Sequence, residues 1–312
     1  MRLDVVVPTY NRHALLDHTL RSLWRADVPR GLDVRVTVVD NNSTDRTPDI
    51  IKAWQGPFGD RLHYLFEGQQ GRSAALNAGI RATDGDLVGM IDDDEEIDAN
   101  WYARAYSAFT EGALDFIGGP YVPRWGASPP DWLPMNYVGV IGWIDGGKQV
   151  VAYDQNYPGI LMGGNAVLTR ATLDRVGLYK TSLSRTGKRL LAGEDEDMYA
   201  RLLAAGARGC YLPDLIIYHY VPPERLTKRY FRRWCFWRGV SRGVLNRMKR
   251  PPETHLLGVP RWLYGEAARG IMRIGSRTVK RRREPAAHFS DELAVWDLAG
   301  YFYGKHFYRA AA

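Results

Sequence analysis

Only two cysteines occur in the 312 residues, Cys210 and Cys235, and their separation matches no metal-site spacing. That excludes a disulfide scaffold and a cysteine-rich zinc site, and it suits a reducing compartment. No two glycines are separated by a single residue, so the dinucleotide fingerprint G-x-G-x-x-G is absent. Neither G-x-x-x-x-G-K-[ST] nor H-E-x-x-H occurs, which removes the main support for dehydrogenase, P-loop NTPase and zincin readings. The longest stretch without a charged residue, 155–169, is too short and too polar to span a bilayer, so no integral membrane protein is expected. Residues 3–7 read as a strand with no basic lead-in, so no secretory leader is expected either. Internal repeats and low-complexity segments are missing. What is present is ordinary for a globular chain, 45% hydrophobic and 25% charged, and the length suits one large α/β domain or two small ones.

The net charge of +7 hides a segregation. Residues 225–283 carry 18 Lys and Arg against Glu253 and Glu266, a local balance of +16, which leaves −9 for the rest. A basic tail on a neutral-to-acidic body implies an anionic partner, with nucleic acid and acidic lipid both open at this point.

The first half alternates strands and helices. Residues 3–8 and 34–40 are valine-rich and too short for helices, and 61–66 and 86–91 are weaker strand candidates. Helices are expected over 13–26, 45–54, 72–82 and 99–110. This alternation implies βαβ units and a mostly parallel sheet. Across 118–147 Gly, Pro and Trp accumulate without a period, which reads as a loop system with room for one strand. Beyond it come an ordered run at 161–168, a helix at 170–176 and a flexible Gly/Ser/Lys stretch at 180–193. A helix at 194–205 then precedes Gly206, with strands at 209–212 and 215–219 and a largely helical basic tail.

The densest chemical signal is Asp92-Asp93-Asp94-Glu95-Glu96, directly after an apolar strand. Ligands of open α/β sheets bind beyond the carboxyl ends of the strands, and bunched carboxylates favour a hard cation such as Mg²⁺ or Mn²⁺. An acidic loop capping the next helix is the plainer alternative. A second cluster, Glu194-Asp195-Glu196-Asp197, opens a helix, where acids also favour the dipole; a general base is its functional reading. His219 ends an apolar strand as either a third metal-facing group or a satisfied core histidine. Pro8, Thr9, Tyr10 and Arg12 follow the first strand, and Asp40 ends the second. Tyr10 can stack on a base, Asp40 can accept from a base N–H or a sugar hydroxyl, and Arg12 and Arg72 can approach phosphates.

The motifs V-V-V-P-T-Y-N-R (5–12), V-V-D-N-N-S-T-D-R-T (38–47), G-R-S-A-A-L-N-A-G (71–79), I-D-D-D-E (91–95) and G-E-D-E-D-M (193–198) stand in one order. The series resembles family 2 glycosyltransferases, inverting enzymes with a GT-A fold, over about residues 1–235. H-Y-V-P-P-E-R-L-T (219–227) is similar to the segment that follows the core in many bacterial members. The resemblance implies a GT-A domain at 1–222, with a nucleotide-binding half at 1–112 and an acceptor-binding half at 113–222. A basic aromatic helical extension would occupy 223–312.

It also implies residue roles. Pro8, Thr9, Tyr10 and Asp40 would hold base and ribose, with Arg12 and Arg72 near the diphosphate. Asp92, Asp93 and Asp94 resemble the DxD motif, with Asp92 towards the ribose and Asp94 on the metal, the register among them open by one residue. Asp195 would be the general base with Glu194 as the fallback, and Gly163, Gly164 and Asn165 would lie beneath donor sugar and acceptor. Trp143, like Trp125 and Trp132, is a candidate either to stack on a sugar or to fill the core. The implied reaction is metal-dependent transfer from a nucleotide-sugar donor, UDP or dTDP favoured, to a glycan or polyprenyl-lipid-linked hydroxyl. A sugar-nucleotide nucleotidyltransferase leaves the 193–198 motif unexplained, and a non-catalytic docking protein predicts a damaged acidic motif.

In the tail, Leu263, Ala267, Ile271 and Ile274 alternate with Arg269, Arg273 and Arg277, and 230–238 interleaves aromatics with arginines. Both patterns suit an anionic membrane surface, so a peripheral location on the cytoplasmic face is expected. The basic run 280–283 belongs to no recognisable nucleic-acid module, and no nucleic-acid partner is expected.

Overall fold

A computed structural model describes residues 1–183, 193–248, 254–280 and 283–308. Residues 184–192 of the stretch read as flexible lie outside the described residues, as do Arg281 and Arg282 of the basic run. The described residues form two compact units, one from 1–124, 144–183 and 194–220, the other chiefly from 125–143 and 221–308.

The first unit alternates as its sequence implies. In order it runs β1 (Arg2–Thr9), α1 (His13–Arg25), β2 (Asp33–Asp40), α2 (Thr47–Phe58), β3 (Leu62–Phe66), α3 (Arg72–Ala82) and β4 (Leu87–Ile91). There follow β5 (Glu95–Ile97), α4 (Trp101–Glu111), β6 (Phe116–Gly118), β7 (Tyr121–Trp125), β8 (Val151–Ala152) and β9 (Asn165–Thr169). Then come α5 (Arg170–Val176), α6 (Glu194–Ala204), β10 (Gly209–Tyr211) and β11 (Ile217–Val221). The main sheet has the order β3-β2-β1-β4-β9-β6-β10-β8. It is mostly parallel; β9 runs antiparallel between β4 and β6, and β8 antiparallel to β10. A smaller sheet, β5-β11-β7, draws one strand from the segment read as loops and another from the acidic run.

Side-chain alternation splits the apolar residues between the two faces. Leu3, Val5 and Val7 of β1 join the core under α1, α2 and α4, while Val6 joins the core under α3, α5 and α6. A Cβ on Gly79 would lie 2.4 Å from Val6 Cγ1, so glycine lets α3 lie close on the sheet. That contact fixes the helix whose first residue is Arg72.

The second unit is built on three helices, α7 (Lys228–Met248), α8 (Arg261–Val279) and α9 (Pro285–His306), with a short hairpin of β12 (His255–Leu256) and β13 (Val259–Pro260). Paired glycines bring α7 and α9 together: a Cβ on Gly239 would lie 2.2 Å from Asp297 O and one on Gly300 only 1.9 Å from Phe236 O. Gly243 and Gly304 repeat the arrangement one turn along. Trp132 packs edge-on against Phe231 and Phe289, and Trp125 against Trp143 at 6.0 Å.

The structure bears on two expectations for the tail. Leu263 and Ala267 of the supposed membrane stripe are buried inside the helical unit, Leu263 in a cluster with Val259 and Tyr301. Arg273 and Arg277 are not a free basic face, because both pair with the buried Asp291. Likewise Phe231 and Cys235 of the aromatic run are fully buried. Ile271, the third position of that spacing, is 58% exposed, so packing one helix on another accounts for only part of it.

Candidate active site

The carboxyl ends of β1, β2 and β4 meet the first turns of α3 and α6. β4 delivers Asp92, Asp93 and Asp94, and the chain then folds back as β5. Glu95 drives that reversal: its Oε2 accepts the Asp92 backbone N–H at 2.7 Å, although Glu95 is only 1% exposed. Burial pushes the Glu95 carboxyl well up from its ordinary value. Gly164 makes room for it, since a Cβ there would lie 2.4 Å from Glu95 Oε1.

Two arginines divide the acidic cluster between them. Arg12 Nη1 donates to Asp93 Oδ1 at 2.8 Å and to Asp94 Oδ2 at 2.9 Å, while Thr9 Oγ1 donates to Asp93 Oδ2 at 2.9 Å. Burial outweighs that pairing at Asp93 and pushes its pKa up to about 6. Arg72 Nε donates to Asp92 Oδ1 at 2.9 Å, and its Nη1 lies 3.6 Å from Asp195 Oδ1 and 3.9 Å from Glu194 Oε1. Burial works against the charge on Arg72, yet Asp92, Asp195 and Glu194 hold its pKa well above the ordinary value. One guanidinium thus joins the end of β4 to the start of α6.

Asp195 is raised to about 6, chiefly by burial, with Arg72 opposing and Glu194 adding to the rise. Its Oδ1 is buried and accepts no hydrogen bond. A Cβ on Gly163 would lie 2.5 Å from that same oxygen and 3.2 Å from Arg72 Nη2, so only glycine leaves the space open. Asp197, two residues on, serves the framework instead. Lys180 and Arg201 pair with it, and Arg201 also binds the carbonyls of Gly177 and Leu178, tying α6 to the preceding segment.

The β2 turn is equally fixed. Asp40, 1% exposed, accepts from the Ser43 N–H at 2.9 Å and from the Tyr64 hydroxyl at 3.1 Å. Asn41 Nδ2 donates to the carbonyls of Glu67 and Gln69, and its Oδ1 accepts the Gly71 N–H at 2.8 Å. Gly71 has φ +137, so the loop enters α3 through a backbone conformation that glycine favours and presents Arg72 to the cluster. Pro8 lies within β1 opposite Val39, and Tyr10, just beyond β1, is 47% exposed.

His219 Nε2 lies 3.8 Å from Asp94 Oδ2, because β11 pairs with β5 and sets His219 opposite Glu95. Among the described residues no three His, Cys, Asp or Glu groups converge into a metal cage. Asp94 and His219 are the side chains that would hold Mg²⁺ or Mn²⁺ together with phosphate oxygens and water, with Arg12 sharing Asp94 Oδ2.

The candidates Thr9, Arg12, Arg72, Asp92, Asp93, Asp94, Glu194, Asp195, Gly163 and His219 are therefore drawn together. Asn165 differs: its amide is engaged by the Trp101 indole N–H and by the carbonyls of Pro120 and Leu215, which makes it framework beneath the site. Trp143 lies in the other unit, against Trp125. Sequence reasoning counted Glu95 in the acidic run but gave it no role of its own, and gave none to Asn41 or Tyr64. Tyr121, whose hydroxyl donates to Met162 O at 3.2 Å, was missed too. Glu95 and Asn41 each adjoin a residue already singled out, which was the available signal.

Residues 4–177 match the family described as glycosyl transferase family 2. The chain is 27% identical over 247 residues to the succinoglycan biosynthesis protein ExoM of Rhizobium meliloti, covering 78% of this chain and 75% of that protein. It is 25% identical over 254 residues to the glucosyl-dolichyl phosphate glucuronosyltransferase of Haloferax volcanii, covering 79% and 78%. Among solved structures, the mannosyltransferase PcManGT from Pyrobaculum calidifontis, in complex with GDP-Man and Mn²⁺, superposes with a TM-score of 0.64 at 19% identity, covering 97% of this chain and 86% of that one. The family match sets aside the nucleotidyltransferase alternative.

Proposed function

Because the chain belongs to glycosyl transferase family 2, we propose that it transfers a sugar, with inversion, from a nucleoside diphosphate donor to an acceptor hydroxyl on a glycan or polyprenyl-linked lipid, at an anionic membrane surface. The observation that carries the reading is Arg72, which touches Asp92 on one side and Asp195 on the other. Donor and acceptor chemistry would then meet around one fixed charge.

In this reading Asp40, braced by Tyr64 and Ser43, accepts from the nucleotide. An anionic acceptor suits a base with a ring imide N–H, as in uracil and thymine, which favours UDP or dTDP. Tyr10 stacks on the base, and Thr9 and Arg12 hold Asp93 and Asp94 in place. Asp94 and His219 hold Mg²⁺ or Mn²⁺, which when bound stabilises the negative charge of the diphosphate leaving group. Asp195 takes the acceptor proton on Oδ1, the oxygen that accepts no hydrogen bond. Gly163 and Gly164 keep the floor beneath the sugar open. A single displacement needs no covalent enzyme intermediate, so no activated nucleophile is required. The lipid-linked acceptor is supported by the dolichyl-phosphate substrate in the name of the Haloferax relative.

A thermal-shift series with UDP, dTDP, GDP, CDP and ADP, with and without Mn²⁺, tests the donor half. Mass action predicts a metal-dependent rise in Tm with UDP or dTDP. Asp195→Asn tests the base: the expected result is a roughly 10²–10⁴-fold loss of transfer with the nucleotide shift retained. Transfer at the parental rate would remove Asp195 from the mechanism.

A further inference from the structure

In the second unit, β12 and β13 form a hairpin that leads directly into α8, with Leu257 and Gly258 at its turn. Leu257 has φ +51 and is 69% exposed. A left-handed backbone is costly for leucine, and water is a poor solvent for its side chain; asparagine or glycine would suit the turn better on both counts. Strained and exposed apolar residues of this kind point to a function outside folding.

The tip is held in place. His306 Nε2 lies 2.8 Å from Leu257 O, and the Tyr264 hydroxyl donates to Leu256 O at 3.3 Å. A Cβ on Gly258 would meet Lys305 Cε at 3.4 Å. Next to His306 stands Phe307, 62% exposed, its ring stacked on the exposed Tyr303 at 6.4 Å. Leu256, Leu257, Tyr303 and Phe307 are all exposed, and His306 links the hairpin turn to the Phe307 ring. Cations surround them. Arg247 donates to the carbonyls of Lys305 and Tyr308, and Lys305 Nζ to that of Asn246. Among the described residues neither Arg247 nor Lys305, nor Arg261 at the start of α8, pairs with a carboxylate.

We propose that this cluster is a membrane-docking tip. Its leucines and aromatic rings enter the boundary between headgroups and acyl chains, and Arg247, Arg261 and Lys305 meet the phosphates of acidic lipids. The inference rests on the membrane-surface reading above and moves the contact from the partly buried α8 stripe to the hairpin and the end of α9.

The test is co-sedimentation of the full chain with phosphatidylcholine vesicles, with and without phosphatidylglycerol, in the absence of any nucleotide sugar. Failure of the transfer reading therefore cannot affect the result. The parent chain is expected to bind the acidic vesicles, to bind neutral ones weakly and to be released by high salt. Leu257→Asn supplies a residue that accepts the backbone conformation, so Tm is expected to hold or rise while vesicle partitioning falls about tenfold. Phe307→Ser is expected to give a similar loss. Equal binding of parent and Leu257→Asn, no preference for acidic lipid, or a change in oligomeric state alone would overturn the proposal.

Discussion

At the scale of single residues, the site is a contest between burial and pairing, and Asp195 shows how it resolves. Burial raises its pKa to about 6 against the opposing charge of Arg72. Below that value the carboxyl keeps its proton and cannot accept another, so kcat for transfer is expected to climb through pH 6 to a plateau. Arg72→Gln removes the opposition and leaves burial, so the acidic limb should move up by about one unit; a limb that stays in place would show that Arg72 does not tune the base. The sign for stability is the reverse of the usual carboxylate. Asp195 binds its proton more tightly when folded than when unfolded, so its contribution is largest below its ordinary value of 3.8 and is lost as pH rises through 6. Asp195 and Arg72 were legible because each sits in a short motif whose order is informative. Glu95 was not: in sequence it is one more acid in a run of five, and only the return of β5 against β11 shows that it is buried. Asn165 was ambiguous for a related reason, since a polar residue beside two glycines reads the same whether it faces a ligand or braces three segments.

At the scale of elements, the strands and helices of the nucleotide half follow from local pattern. The valine runs of β1 and β2 admit little else, and α3 is placed by the small residues that face the sheet. The antiparallel insertion of β9, the strand β7 and the pairing of α7 with α9 were not legible, because each depends on partners far along the chain. The helix pair gives the sharper lesson. Gly239, Gly243, Gly300 and Gly304 lower helix propensity by about 1 kcal/mol each relative to alanine, yet they let two backbones meet where a Cβ could not fit. Gly300→Ala is therefore expected to destabilise the protein by about 2–3 kcal/mol despite the better propensity. A Cβ added to Gly275 on α8 would meet nothing within 4 Å, so Gly275→Ala should instead gain about 0.5–1 kcal/mol. Thermal melts of the two variants check the pair; shifts of the same sign would mean that contact geometry does not govern these glycines.

At the scale of the whole molecule, the charge segregation visible in the composition follows the division into two units. The acidic balance belongs to the part that holds Asp92, Asp93, Asp94, Glu194 and Asp195, where Arg12 and Arg72 are shared among the carboxylates. The basic excess belongs to the helical part, where Asp291, Asp297 and Glu292 together pair with five arginines. Counting charges along the sequence therefore suggests an anionic partner but not the face that would meet it, since a count cannot separate a paired arginine from a free one. Hydrogen exchange probes both units in one experiment. Nucleotide with Mn²⁺ is expected to slow exchange at the carboxyl ends of β1, β2 and β4 and at the first turn of α3, because ligand binding stabilises the local structure it touches. Acidic vesicles are expected to slow exchange over 254–262 and 303–308 and to leave the nucleotide set unchanged. Protection by vesicles at the nucleotide loops, or by nucleotide at the hairpin, would mean that the molecule does not divide its chemistry as its charges are divided.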